Sequence, residues 1–143
     1  MEPQEMERLW SDHLEAEFVT KDVEAALETM VEDPYVNHVP VNTGGRGKGR
    51  VRAFYRDVFI PSWPDDLQMQ QVNRVLGNDQ LVDEVRVTFT HTRHMDWFLP
   101  DVPPTNRKVE VDIVVVVQFR DDRIACERIY WDQATVLSQV GLL

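Results

Sequence analysis

From Gln4 to Phe18 the apolar residues Met6, Leu9, Trp10, Leu14 and Phe18 recur at helical spacing and predict a helix with one buried stripe. Asp22 suits the N-cap of a second helix carrying Val23, Ala26, Leu27 and Met30. Asp33-Pro34 should stop that helix, because proline disfavours the α region in the residue before it. Tyr35–Val41 then reads as a short strand and Asn42-Thr43-Gly44-Gly45 as a loop. Helical period returns over Gly47–Phe59, with Val51, Phe54, Tyr55 and Val58 on one face, until Ile60-Pro61-Ser62-Trp63-Pro64 breaks it.

The second half alternates instead. Leu67–Leu76 and Leu81–Arg93 read as strands joined by a hairpin turn at Gly77-Asn78-Asp79. The proline-rich stretch Asp96–Asn106 reads as a long irregular loop. Lys108–Phe119 and Arg123–Asp132 form the last predicted hairpin, and Ala134–Val140 a closing helical turn or two ended by Gly141. Helices early and a meander late make the chain α+β. In Val109–Phe119 the odd positions are all apolar, and Val114 and Val116 add apolar residues on the other side. A strand that is apolar on both faces needs cover on both. The predicted helices can cover one face, so the outer face is expected to meet a second copy in a homodimer.

Length and charge narrow the function. The 143 residues suit one domain spanning 1–143, with 43% hydrophobic and 28% charged residues. Fifteen Lys and Arg against 25 Asp and Glu give a formal charge of −10, which disfavours nucleic acid and anionic membrane surfaces as partners. The acidic start MEPQEMERLW lacks the apolar run of a secretory signal, and Ile113–Val117 is too short to cross a bilayer. The single cysteine, Cys126, forms no internal disulfide, so a reducing, cytoplasmic location is the expectation.

The element order is accompanied by three local features. These are Asp33-Pro34-Tyr35-Val36-Asn37-His38, the glycine before the third helix with Val51, Phe54 and Tyr55, and an ending that runs from Glu127-Arg128-Ile129-Tyr130-Trp131-Asp132-Gln133 to Leu137, Gln139, Gly141 and Leu142. With them the chain resembles, over nearly its whole length, the NTF2-like superfamily and within it the SnoaL-like (polyketide-cyclase-like) family. The resemblance implies an α+β cone, in which a strongly curved antiparallel or mixed sheet wraps a pocket closed by the N-terminal helices. It also implies chemistry that needs no metal or organic cofactor. The superfamily includes ring-closing cyclases, ketosteroid isomerase, limonene-epoxide hydrolase and binders without turnover, and fold alone does not choose among them.

By that resemblance Asp132 is the candidate general base or acid, at the lip of an apolar strand, where a carboxylate is costly unless solvated or paired. It also lies where an N-cap of the last helix would lie. His38 is implied as a pocket histidine. His91 joins it by alternation with Val85, Val87 and Phe89, and both histidines are expected to polarise a substrate carbonyl. Asp83 shares that face and Glu84 the opposite one, unless a bulge intervenes. Glu84, Arg93, Tyr35, Tyr55, Trp63, Trp97 and Tyr130 complete the expected binding set for a small apolar or aromatic carbonyl-bearing molecule. Trp63 and Trp97 sit in proline-flanked loops that could form a lid. Three sharper patterns fail. Gly44–Val51 lacks the Lys-Ser/Thr of a phosphate loop, His91 and His94 fall on opposite strand faces and make no metal site, and Cys126 lies within a strand. Arg93 with Asp96 only loosely echoes an epoxide hydrolase's Asp–Arg–Asp set.

Overall fold

The computed structural model describes Met1–Leu143. Four helices, α1 (Pro3–Phe18), α2 (Val23–Glu28), α3 (Lys48–Phe54) and α4 (Gln133–Gln139), pack with one six-stranded sheet. Its strands are β1 (Met30–His38), β2 (Thr43–Arg46), β3 (Gln68–Gly77), β4 (Gln80–Thr90), β5 (Lys108–Arg120) and β6 (Arg123–Tyr130), in the order β2-β1-β6-β5-β4-β3. Only β1 and β6 run parallel, so the sheet is mixed, curved and open at both edges, the α+β cone that the resemblance implies.

The helix and hairpin boundaries follow the periodicity closely, with two exceptions. α2 is capped by Asp22, whose carboxylate accepts from the Ala25 N–H at 3.1 Å, but it ends at Glu28 rather than at Asp33. There the Thr29 hydroxyl donates to the Ala26 carbonyl at 2.6 Å, and β1 begins at once. Pro34 therefore lies inside a strand. It is accommodated because the β1–β6 register shifts between Met30 and Tyr35, where a missing N–H breaks no ladder bond. The second exception is Asn42–Gly45, expected as loop, in which Thr43–Arg46 is a short edge strand paired with β1. At Gly44 a side chain would collide with the Val36 carbonyl, so the close approach of the two strands requires glycine. Low strand propensity hid this element.

After α3 the chain widens into a π-helical turn at Tyr55–Phe59 and then tightens into a 3₁₀ turn at Ile60–Ser62. The π turn delivers Tyr55 and Phe59 to the concave face of the sheet, a use often made of such turns at functional sites. On β5 the inward residues Val109, Val111, Ile113, Val117 and Phe119 are buried, whereas Val114 and Val116 on the convex face are half-buried. The chain's own helices cover the concave side. The convex side carries an apolar row in which Val75, Val82 and Val116 lie side by side, with Val75 55% exposed.

The loop between β4 and β5 was expected to act as a lid. Instead Met95, Trp97, Phe98 and Leu99 are almost wholly buried and close one end of the cone as part of its core. No helix is long and apolar enough to cross a membrane.

Candidate functional site

Between α1 and the concave face lies a cavity of ≈ 530 Å³. Its mouth is rimmed by exposed residues of α1 (Ser11, Glu15), by Val19 just after it, and by β3 (Met69, Gln71). Its deep wall is aromatic and aliphatic, with Phe59, Trp63, Trp97 and Ile129 beside His38. The rings of Trp63 and Trp97 lie 4.9 Å apart, and those of His38 and Trp97 also 4.9 Å apart, so the wall is continuous.

Two polar systems interrupt it. Near the mouth, Asp83 on β4 accepts two hydrogen bonds from the Arg74 guanidinium (2.6 and 2.9 Å) and one from the Trp10 indole (2.8 Å), and Arg74 also reaches Glu7. Both charges are thereby internally compensated.

The second system is deeper. α1 presents its buried stripe of Met6, Leu9 and Trp10, and the same stripe continues through His13 and Glu17, both buried. The His13 ring stacks on Trp10 at 5.4 Å. Its Nδ1–H donates to the Thr29 hydroxyl (2.7 Å), which in turn donates to the Ala26 carbonyl. That orientation turns Nε2 toward Glu127 (3.1 Å), Glu17 (3.3 Å) and the Tyr55 hydroxyl (3.2 Å). Tyr55 donates to Glu127 at 2.6 Å. Glu17 and Glu127 line the cavity, while His13 and Tyr55 support them from behind.

The electrostatics follow from this packing. Burial alone would push His13 down, but the two carboxylates hold it up to about 10, so it is an imidazolium at neutral pH. Burial alone would raise Glu127, yet the His13 charge and the hydrogen bonds from His13 and Tyr55 hold it below the usual carboxylate value. Glu17 is left as the odd acid. Burial and the Glu127 charge outweigh its contact with His13, raising it to about 7. One imidazolium thus serves two carboxylates, and the less favoured one titrates near neutrality. The three ligand atoms of His13, Glu17 and Glu127 lie within 4.8 Å of one another and could hold a cation, but here Nε2 is in ion-pair contact with both carboxylates.

The residues expected from sequence are only partly assembled here. His38, Trp63 and Trp97 line the cavity, and Tyr55 belongs to the buried network behind it. His38, expected as a donor to a substrate carbonyl, has its ring oriented instead as an acceptor toward the cavity. Its Nδ1–H donates to the Thr43 carbonyl (3.1 Å), and burial lowers it to about 4, so the neutral ring offers Nε2 as an acceptor.

Asp132 lies outside the cavity. It is exposed and caps α4, accepting from the Ala134 and Thr135 N–H groups (3.1 and 3.4 Å) and the Thr135 hydroxyl (2.8 Å), contacts that hold it below the usual carboxylate value. Capping was one of its two sequence readings, and it is the one the geometry satisfies. Asp132→Ala should therefore lower the melting temperature by a few degrees while leaving occupancy of the cavity unchanged, as a thermal melt and a ligand titration on the same variant would show.

The remaining expected residues also fall elsewhere. His91 is buried beyond the cavity wall, with Nδ1 between the hydroxyl and the N–H of Thr105. Glu84 points to the convex face, as the alternation implied. Arg93 binds Asp65 and the Pro61 carbonyl, and Asp96 accepts from the Asp101 N–H, so the two do not form an Asp–Arg–Asp set. Tyr35 accepts a hydrogen bond from Arg128 and lies under Arg46, and Tyr130 is 40% exposed; neither lines the cavity. His13, Glu17, Glu127 and the Arg74–Asp83 pair were not singled out as site residues. His13 and Glu17 could have been found as polar interruptions at three- and four-residue spacing in an otherwise apolar stripe.

Comparison with known proteins places this geometry in a family. No curated protein matches the sequence. Among solved structures, a candidate SnoaL-like polyketide cyclase from Jannaschia sp. CCS1 superposes with a TM-score of 0.77 at 19% identity, covering 100% of this chain and 97% of that one. TsrD from Streptomyces laurentii gives 0.74 at 17% identity, covering 100% and 99%. A hypothetical protein of ketosteroid isomerase-like fold from Catenulispora acidiphila DSM 44928, solved in complex with trimethylamine, gives 0.67 at 13% identity, covering 94% and 93%. At these identities the likeness shows the fold. The description SnoaL-like polyketide cyclase matches residues 10–140, so the chain belongs to the SnoaL-like polyketide cyclase family.

Proposed function

We propose that the protein is a cofactor-independent cyclase or isomerase that moves a proton next to the carbonyl of a small apolar molecule held in the cavity. The observation that carries this reading is the buried Glu17–His13–Glu127 chain, in which both carboxylates line the cavity and burial beside Glu127 raises Glu17 to about 7. A carboxyl group with that value is available both as acid and as base at neutral pH, which is what removing a proton from one carbon and returning it to another requires. The His13 charge steadies Glu17 when it is ionised, while Glu127, Tyr55 and Thr29 hold His13 in place. The aromatic wall receives the flat apolar body and excludes water from the exchanging proton. Family membership supports the reaction class, and the chemistry is assigned to Glu17 in place of Asp132.

The test is hydrogen–deuterium exchange. Cyclic ketones and enones incubated with the protein in D₂O should lose their α-proton NMR signals faster than buffer controls. Binding without exchange across such a panel would make the protein a carrier rather than a catalyst.

The same reading includes a homodimer through the convex sheet face. Its support is the half-covered row of Val75, Val82 and Val116. Light scattering is expected to give twice the monomer mass, falling to the monomer mass in Val116→Glu, where an ionised side chain would be buried in the interface.

A further inference from the structure

The polar groups that reach the deep cavity are unequal in kind. The charged donors nearby are already used, Arg74 on Asp83 and Glu7 and His13 on Glu17 and Glu127, as are the Trp10 indole on Asp83 and the Trp97 indole on the Ser62 hydroxyl (2.7 Å); the Trp63 indole N–H has no partner. Beside that one neutral donor, the polar groups left at the deep wall are acceptors, namely Glu17, Glu127 and the Nε2 of His38, and the only charged ones among them are carboxylates. Charge is unequal as well. Asp83 is matched by Arg74, but Glu17 and Glu127 share the single charge of His13. Around them the cavity is walled by the aromatic side chains of Phe18, Phe59, Trp63 and Trp97. Aromatic faces together with an under-compensated carboxylate attract a cation and disfavour an anion.

We propose that the cavity accepts an organic ammonium ion, an amine-bearing apolar molecule whose cationic head lies between the aromatic wall and the Glu17 and Glu127 carboxylates. The ligand replaces the proton that Glu17 otherwise holds. This proposal rests on the reading of the cavity as the working site and adds the charge of its ligand.

The sign of the pH dependence follows. The groups facing Glu17 are His13 on its own helix, Glu127 on β6, Tyr55 on the π turn, His38 on β1 and the Arg74–Asp83 pair of β3 and β4. Glu17 changes charge near pH 7, from neutral below to anionic above, while burial keeps His38 neutral there and the two carboxylates keep His13 charged. Affinity for a permanent cation is therefore full above about pH 7 and falls as the pH drops through that value.

The experiment compares benzyltrimethylammonium with neopentylbenzene, its neutral isostere with carbon in place of nitrogen, by calorimetry or by quenching of the cavity tryptophans. At pH 8 the cation should bind at least about tenfold more tightly. That preference should shrink by pH 5.5, and in Glu17→Gln it should become small and independent of pH. Trp97→Leu should weaken the cation more than the isostere, and thermal melts establish that each variant is folded. Equal or tighter binding of the isostere at pH 8 would overturn the proposal. So would Zn²⁺ binding at His13, Glu17 and Glu127 with no response to the ammonium ion, which would make the cluster a metal site. The two readings fail separately: α-proton exchange on neutral ketones with no cation preference removes only the ammonium ligand, whereas cation binding with no exchange on any ketone removes only the proton-transfer chemistry.

Discussion

Replacing Glu127 with alanine is expected to lower the unfolding free energy by about 3–5 kcal/mol, the usual cost of removing one partner of a buried ion pair. The His13 ring has no exposed surface, and Glu127 is 4% exposed. Without Glu127, the imidazolium keeps only Glu17 as a counter-charge and Tyr55 loses its acceptor. His13 can escape by deprotonating, and this makes the pH dependence diagnostic. A histidine raised to about 10 contributes stability that is fully present below its ordinary 6.5 and is lost as the pH rises through 10. The wild-type protein should therefore weaken steadily between those values in urea titrations. Glu127→Ala should start from a lower stability and lose less over the same range.

The second large effect concerns chemistry. Glu17→Gln is expected to slow α-proton exchange on any ketone the wild type processes by about 10²–10⁴-fold, the contribution of a positioned acid or base. Glutamine is nearly isosteric and can still accept from His13, so the fold should persist. His13→Gln should change the pH profile of exchange as well as its rate, because it removes the charge that steadies ionised Glu17. Asp132→Asn should leave exchange untouched, since that carboxylate faces solvent at the start of α4. Comparing the three separates a reaction at the cavity from one at the lip of the sheet.

Much of the architecture was legible in the chain. Alternation along Val109–Phe119 is a direct record of which face of β5 is buried, and the same parity correctly placed Asp83 inside and Glu84 outside. What escaped had physical reasons. β2 is glycine-rich because two strands must approach closely, and that need resembles a loop in sequence. β1 runs through Pro34 because a register shift tolerates it, information that lies in the pairing and not in the residue.

The site was harder for a related reason. A reading tuned to apolar periodicity passes over polar residues on the buried stripe, and His13 and Glu17 lie there. Asp132 drew attention because its neighbours are apolar, but a residue that opens a helix can turn outward within one step. Charges were counted correctly along the chain, while their pairing depended on β6 carrying Glu127 opposite α1, a long-range contact that no local pattern encodes.

The account depends on Glu17 holding its proton up to neutral pH inside the cavity. The direct measurement is a carbon-13 NMR titration of the glutamate side-chain carboxyls, with the Glu17 signal assigned by comparison with Glu17→Gln. A midpoint near 7 is predicted, moving downward when benzyltrimethylammonium is bound. A midpoint at the ordinary 4.5, unmoved by ligand, would contradict it.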